Sequence, residues 1–469
     1  MSCTGDNIER CFQECAGLHG KLALRGQPLG RCPVAARLST ICVPTCQRAT
    51  LRGIAAVGRR VAARLQPMPE SIDGHRQRGD PSARAHQGAL GHLRIADFSR
   101  VLAGPLATMV LGDLGADVVK IEQPGIGDET RTWGPPWWGN ADRATSTYYL
   151  GLNRNKRSIA LDLGHDGDRA VARQIALGAD VMVDNFRVGT MAHFGLDRAS
   201  LADERPDLIT CSITGFGSTG EGAKLAGYDF LVQAMSGLMA ITGPANGEPT
   251  KVGSAMVDNL TGLYATIAIL AAVEERRESG LGQHLEVSLM AAALAGLLNV
   301  GSGHVIADTD AGRQGNRHPS IVPYQPYRTA DGVLAVAAAS PALWKRLCAA
   351  LGGDDWQTDE RFVDNSARLA NADALEVEIE AVLATGTTAD WLDRLRAAGI
   401  PVGPINTVRQ AFLEATDLGL DPVAVLGKGA DAFRSVRSPI SMSATPPTVR
   451  RPPPINDEHV AEIRAELDY

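Results

Sequence analysis

The sequence predicts an α/β fold: a doubly wound, parallel sheet followed by a smaller α/β unit. Three observations predict it. Strand, glycine-containing loop, helix and second strand succeed one another between His92 and Glu122, within about thirty residues, as in one βαβ unit. The pattern then repeats less regularly as far as Ile213. A polar, glycine-rich stretch from Asp308 to His318 finally separates these repeats from a shorter α/β pattern over residues 333–400.

In chain order, His92–Phe98 is a short strand, Ser99–Pro105 a loop, Leu106–Leu114 an apolar helix stopped by Gly115, and Ala116–Glu122 a second strand. Ser158–Asp162 reads as a strand and His165–Ala176 as a helix. Asp180–Val183 and Leu208–Ile213 are the next strands. Two long apolar helices follow, over 259–276 and about 287–300, separated by Arg277–Gln283. In the second unit Val333–Ala338 is a strand, and Pro341–Leu351 and Ala374–Leu383 are helices. Gly399–Asn406 breaks this unit off, and the Pro-rich tail ends in a helix over 457–467. Ligands of such a sheet bind at the carboxyl ends of its strands.

With 44% apolar and 21% charged residues over 469 positions, the composition is that of a soluble globular protein of two or three domains. No apolar run reaches membrane-spanning length without polar interruption. Leu285–Val300 comes nearest, but it carries Glu286 and Ser288 and reads as a core helix. A cytoplasmic protein is expected, with no membrane or nucleic-acid partner.

Charge and cysteine are concentrated at the start. Residues 1–91 hold 13 Lys+Arg against 6 Asp+Glu, and six of the eight cysteines (Cys3, Cys11, Cys15, Cys32, Cys42, Cys46). The remainder holds 33 against 47, which gives the overall net charge of −7. A metal or disulfide module would need ligand spacing; no pair has C-x2-C spacing and no histidine is suitably placed. No periodic apolar face is present and no apolar core follows the charges, which excludes a secretory signal. The stretch is expected to be a basic, disordered leader or an over-extended start of the reading frame, with no metal site.

Asp258 stands where the helix after Lys251–Val257 begins. An acidic residue there either caps the orphan N–H groups or carries chemistry, and spacing alone favours the cap. Gly215-Phe-Gly-Ser-Thr-Gly220 matches G-x-G-x-x-G directly after a strand. However, it follows the fifth strand, and a poor helix opening succeeds it, so it reads as a loop and not a dinucleotide site.

Eight motifs taken together resemble one family. They are Asp97-Phe-Ser-x-Val-Leu-Ala-Gly-Pro105, Leu114-Gly-Ala-Asp-Val-Val-Lys-Ile-Glu122, Gly127-Asp-Glu-Thr-Arg131 running into Trp133–Pro136, and Asn153-Arg-Asn-Lys-Arg-Ser-Ile159. Further on come Asp184-Asn-Phe-Arg187, Gly227-Tyr-Asp229 with Gln233 and Ser236-Gly237, Gly315-Asn-x-His-Pro319, and Gly399-Ile-Pro-Val-Gly-Pro404. In this order the chain resembles the class III CoA-transferases, of the formyl-CoA transferase and carnitine CoA-transferase (CaiB/BaiF-like) type, over about four-fifths of its length.

The resemblance implies an interlocked homodimer. Each chain would have a Rossmann-like, CoA-binding large domain over 92–300, a small domain over 310–400, and a tail over 401–469 that returns to the large domain. It implies that Asp258 is the catalytic nucleophile, moving CoA from an acyl-CoA donor such as succinyl-CoA to a carboxylic acid through an aspartyl anhydride and an aspartyl-CoA thioester. The thioester is a substrate, so no cofactor is expected. A carboxylate suits this exchange because an acyl anhydride lies near a thioester in energy. With a reference pKa of about 3.9, Asp258 would be ionised without a general base.

By the same resemblance, Arg100, Val101, Leu102 and Ala103 would hold the pantetheine and part of the nucleotide. Leu161 and Asn185, Phe186 and Arg187 would flank the adenine, and Ala226, Gly227, Tyr228 and Asp229 would line the same cleft. Gly315 and Asn316 would form a mobile loop over the intermediates; the plainer reading of that loop is an interdomain linker. His193 stands where the family usually has an arginine for the 3′-phosphate, and neutral imidazole is the poorer partner. Arg187 or Lys224 would have to compensate. The alternative within the same fold is a 2-methylacyl-CoA racemase, which needs a second acid/base where this chain has Tyr228. The donor and acceptor acids are not legible.

Overall fold

A computed structural model describes residues 88–139, 144–429 and 432–467. The expected leader falls on residues 1–87, outside the described residues. Residues 88–91, counted with it above, belong to the folded body. Leu90 donates its N–H to Leu114 O at 2.9 Å and packs against the main core.

Six strands form one parallel sheet: β1 (Arg94–Asp97), β2 (Asp117–Glu122), β3 (Lys156–Ala160), β4 (Val181–Asp184), β5 (Ile209–Thr214) and β6 (His284–Ser288). Their order is β3-β2-β1-β4-β5-β6, so the direction of winding reverses between β1 and β4. Both faces are covered, as a parallel sheet requires. Ile95, Val118, Val181 and Val183 enter one core while Ala96, Val119 and Met182 enter the other, the period-two alternation of pleated strands. The first core is closed by α1 (Ala103–Asp113), α4 (Met256–Ser279) and α5 (Leu289–Gly296); α2 (Asp166–Gly178) packs in the second. Between these in sequence lies the short α3 (Asp229–Met235).

Three expected elements are corrected. α1 begins at Ala103, not Leu106, because a proline is tolerated in the first turn, where its missing N–H has no intrahelical partner. β3 begins at Lys156, two residues early, since Lys156 and Arg157 are buried in ion pairs with Asp97 and Asp117. The helix expected over about 287–300 is a strand, β6, followed by α5 and by α6 (Leu298–Ala307), which is bent from α5 by 87°. Ser288 makes the switch, its hydroxyl accepting from Ala291 N at 3.2 Å.

α4 is long and apolar enough to cross a membrane by length and composition, yet it lies across the sheet with Val257, Ala265, Ile269 and Val273 in the core. Its contact with α1 is close: a Cβ on Gly262 would lie 2.7 Å from Ala103 O.

A separate core surrounds an antiparallel sheet of β7 (Tyr324–Arg328), β8 (Val333–Ala337) and β9 (Val402–Pro404), packed with α7 (Pro341–Leu351), α8 (Ala372–Leu383) and α9 (Thr388–Ala397). The Gly399–Asn406 stretch therefore supplies a strand to this unit and does not simply end it. Beyond it, α10 (Val460–Leu467) returns to the large sheet: His459 N donates to Ser158 O at 3.0 Å and Ile463 is buried in the second core.

Candidate active site

The site is built around the start of α4. Its N-cap residue, Ala255, has no side chain that can accept, so the orphan donors turn elsewhere. Asp229 Oδ1 accepts from Val257 N at 2.8 Å and from Asp258 N at 3.2 Å. Gln233, one turn along α3, fixes that carboxylate: its Nε2 donates to Asp229 Oδ2 at 2.6 Å while its Oε1 accepts from Val252 N at 2.8 Å. The cap of α4 is thus Asp229, not Asp258. Among the described residues no group donates to the Asp258 carboxylate, which stays free in the first turn.

That freedom has an electrostatic consequence. Burial first, and the nearby Asp229 carboxylate second, push Asp258 up to about 7. The expectation of a fully ionised carboxylate at neutral pH is therefore corrected: the pocket holds Asp258 at the balance point, with the positive end of α4 opposing the rise. Tyr148 lies within the field of both carboxylates; burial, then Asp258 and Asp229, push its phenol up to about 12. Trp133 packs edge-on against its ring, with centroids 5.6 Å apart. Tyr148 went unnoticed in the sequence, where only a Tyr-Tyr pair after a Trp- and Pro-rich stretch marked it.

The second cluster sits at the winding reversal. Arg100–Ala103 leaves the end of β1 and Asn185–Arg187 the end of β4. Arg100 N donates to Asn185 Oδ1 at 2.8 Å, and Asn185 Nδ2 donates to Arg100 O at 2.6 Å, so the two loops are clasped. The Arg100 guanidinium lies over the Phe186 ring, 4.9 Å from its centroid. Leu102, Ala103 and Leu161 are buried, which leaves mainly their backbone for a ligand. Gly262 against Ala103 O joins this cluster to the first, one helical turn from Asp258.

The remaining expected residues separate. Ala226 is exposed, and Gly227 crosses Gly215 so tightly that a Cβ on Gly227 would lie 2.3 Å from Gly215 Cα; the glycine motif after β5 serves this crossing, which delivers Asp229. Tyr228 is 57% exposed, whereas both Asp229 oxygens are held inside the protein, so Asp229 is a clamp more than a cleft wall. Arg187 and His193 are exposed, and Lys224 pairs with Glu221 at 3.0 Å, so Arg187 is the freer cation. Gly315 and Asn316 lie on an exposed loop that Arg313 docks onto the turn before Lys251, donating to Ala240 O at 3.1 Å and Gly247 O at 2.8 Å.

The model of CoA-transferase family III matches residues 90–460. The chain belongs to CoA-transferase family III. As a member it is a CoA-transferase. It is 41% identical over 389 residues to the succinate–glutarate CoA-transferase of Agrobacterium fabrum, covering 81% of this chain and 96% of that one. It is 38% identical over 376 residues to the human succinyl-CoA:glutarate CoA-transferase, covering 80% and 85%. The crystal structure of a CaiB/BaiF family protein from Brucella suis superposes with a TM-score of 0.73 at 38% identity, covering 81% of this chain and all of that one.

Proposed function

We propose that this CoA-transferase takes CoA from succinyl-CoA and delivers it to a short dicarboxylic acid such as glutarate, with Asp258 as nucleophile. The observation that carries the assignment is the carboxylate of Asp258, relieved of capping by Asp229 and free at a helix N-terminus. Relatives named for succinyl-CoA and glutarate support the substrate pair.

The chemistry runs in balanced exchanges. The Asp258 carboxylate attacks the thioester carbonyl, the C–S bond breaks, and CoA leaves as thiolate from a mixed anhydride. The thiolate attacks the Asp258 carbonyl and expels succinate, leaving an aspartyl-CoA thioester. The acceptor carboxylate repeats the first step on that thioester, and returning thiolate takes the new acyl group and frees Asp258. Binding of the remote nucleotide offsets the weak nucleophilicity of a carboxylate. No resident cofactor is needed, and a cytoplasmic, homodimeric enzyme with interlocked chains is part of the proposal. So are domains over 92–300 and 310–400 with a tail from 401, β9 being assigned to the small unit.

A racemase would need a second base at neutral pH. Tyr228 is exposed, and Tyr148 is pushed up to about 12, so neither phenol suits. Incubation with succinyl-CoA followed by hydroxylamine or borohydride should modify the peptide containing Asp258, and a panel of donors against acids, read by product mass, should favour five-carbon and four-carbon diacids. Rapid uptake of deuterium at the α-carbon of a 2-methylacyl-CoA would instead favour the racemase.

A further inference from the structure

Four ionised side chains with no exposure lie under the loop that leaves β1. Lys120 and Asp128 pair at 3.0 Å, and Lys156 and Asp97 at 2.9 Å. Burying such groups is costly before pairing, and apolar residues of similar volume often serve stability as well or better. What they hold therefore says what they are for. Lys120 Nζ donates to Ser99 O at 2.8 Å and Lys156 Nζ to Pro105 O at 2.9 Å. Asp97 accepts from Ser99 N at 3.0 Å and from Thr108 Oγ1 at 2.7 Å, and Asp128 accepts from Val101 N at 3.3 Å. Among the described residues, six of the nine hydrogen bonds that these side chains make outside the pairs end on residues 99–108; Asp128 also accepts twice from Thr130, and Lys156 donates to Asn153 Oδ1.

That stretch contains a strained residue. Val101 has φ +70°, a left-handed conformation that a β-branched side chain rarely adopts and that is strained. Such strain persists only where the surroundings over-determine it, and it gathers at ligand clamps. The loop also lies at the winding reversal, where ligands of this fold class bind.

We propose that Lys120 and Asp128, with Lys156 and Asp97 behind them, are positioning residues for acyl-CoA: they hold the strained 99–105 backbone in its CoA-binding form. The inference rests on the assignment of that loop to CoA. The ion pairs touch the ligand only through the loop, so their loss weakens CoA binding while leaving the chemical step and the acceptor site alone.

The test uses the full-length protein, CoA by calorimetry and succinyl-CoA by kinetics. Asp128→Asn keeps the shape of the side chain and its acceptor for Val101 N but removes the charge that faces Lys120. It should raise the Kd for CoA about tenfold, the equivalent of one charge-assisted bond, with kcat at saturating succinyl-CoA and the acceptor KM within about twofold. Adding Val101→Gly removes the strain that the pair opposes and should restore CoA binding to within about threefold of wild type. An unchanged Kd, a loss confined to kcat, or no rescue by Val101→Gly overturns the proposal. Should Asp128→Asn not fold, Ser99→Ala, which deletes one hydroxyl donor to Asp97, gives the same decision on a smaller scale: an unaltered Kd overturns it. If the wild type itself binds no CoA, the assignment of the loop fails; if it binds and the variants match it, only the positioning role fails.

Discussion

At the scale of residues, two carboxylates 29 positions apart divide one task. Asp229 caps the helix, which leaves the Asp258 carboxylate free for its proposed role, and burial with the Asp229 charge added raises the pH at which Asp258 ionises. As the proposed nucleophile Asp258 must be ionised to attack, so kcat/KM for acyl-CoA should rise through about pH 7. In Asp229→Asn the cap oxygen remains but the like charge is gone, and that rise should move down by about one pH unit. A profile that does not move would show that burial alone holds Asp258 up. Asp258→Asn should lose turnover by several orders of magnitude. It should also be the more stable protein at high pH. The native carboxyl keeps its proton up to about 7 while the unfolded one loses it near its model value of 3.8, so wild-type stability falls as pH rises across that window. The neutral asparagine escapes this loss: its melting temperature should exceed wild type at pH 8.5 and converge with it at pH 4. The resemblance singled out Asp258 but did not show its ionisation, since its burial and the Asp229 charge from another helix come only with the fold. Nor was the clamp legible: Asp229 stood in the sequence as part of a CoA cleft.

At the scale of elements, what the sequence showed and what it hid follow from burial. The four strands with clear apolar patterns were legible because a doubly covered parallel sheet demands them. β3 was misplaced because Lys156 and Arg157 look like surface residues until Asp97 arrives from β1 and Asp117 from β2. β6 was lost in the largely apolar run Leu285–Val300, although His284-Leu-Glu-Val-Ser288 does alternate and Ser288 is a helix cap. The α1–α4 contact offers a direct test of element packing. Gly262→Ala would gain about 1 kcal/mol of helix propensity. The added Cβ, however, would meet a backbone oxygen at 2.7 Å, and overpacking of that kind costs about 1–3 kcal/mol. The clash should win: a melting temperature lower by a few degrees and weaker turnover, because the same contact joins the proposed CoA loop to Asp258. Unchanged stability would mean the two helices separate more readily than their packing suggests.

At the scale of the molecule, the decisive feature is an apolar surface that the described residues do not cover. α4 is apolar all round, which from sequence alone indicates a fully buried helix. Only part of it is buried: Thr261, Ala265 and Ile269 lie in the core, while Leu263, Tyr264 and Ile267 stay exposed, Ile267 at 61%. α6 adds Val305 and Ile306, each 83% exposed. Large apolar surface of this extent marks an interface rather than a solvated face. A second copy of the chain is the partner proposed above, and an isologous contact would bury each such residue on both copies. Light scattering on the purified protein should therefore give twice the chain mass of 49.5 kDa. Ile267→Glu and Val305→Glu should each lower that mass or the yield of folded protein. An Ile267→Glu chain that stays folded, monomeric and fully active would show that the apolar face serves something other than a second copy.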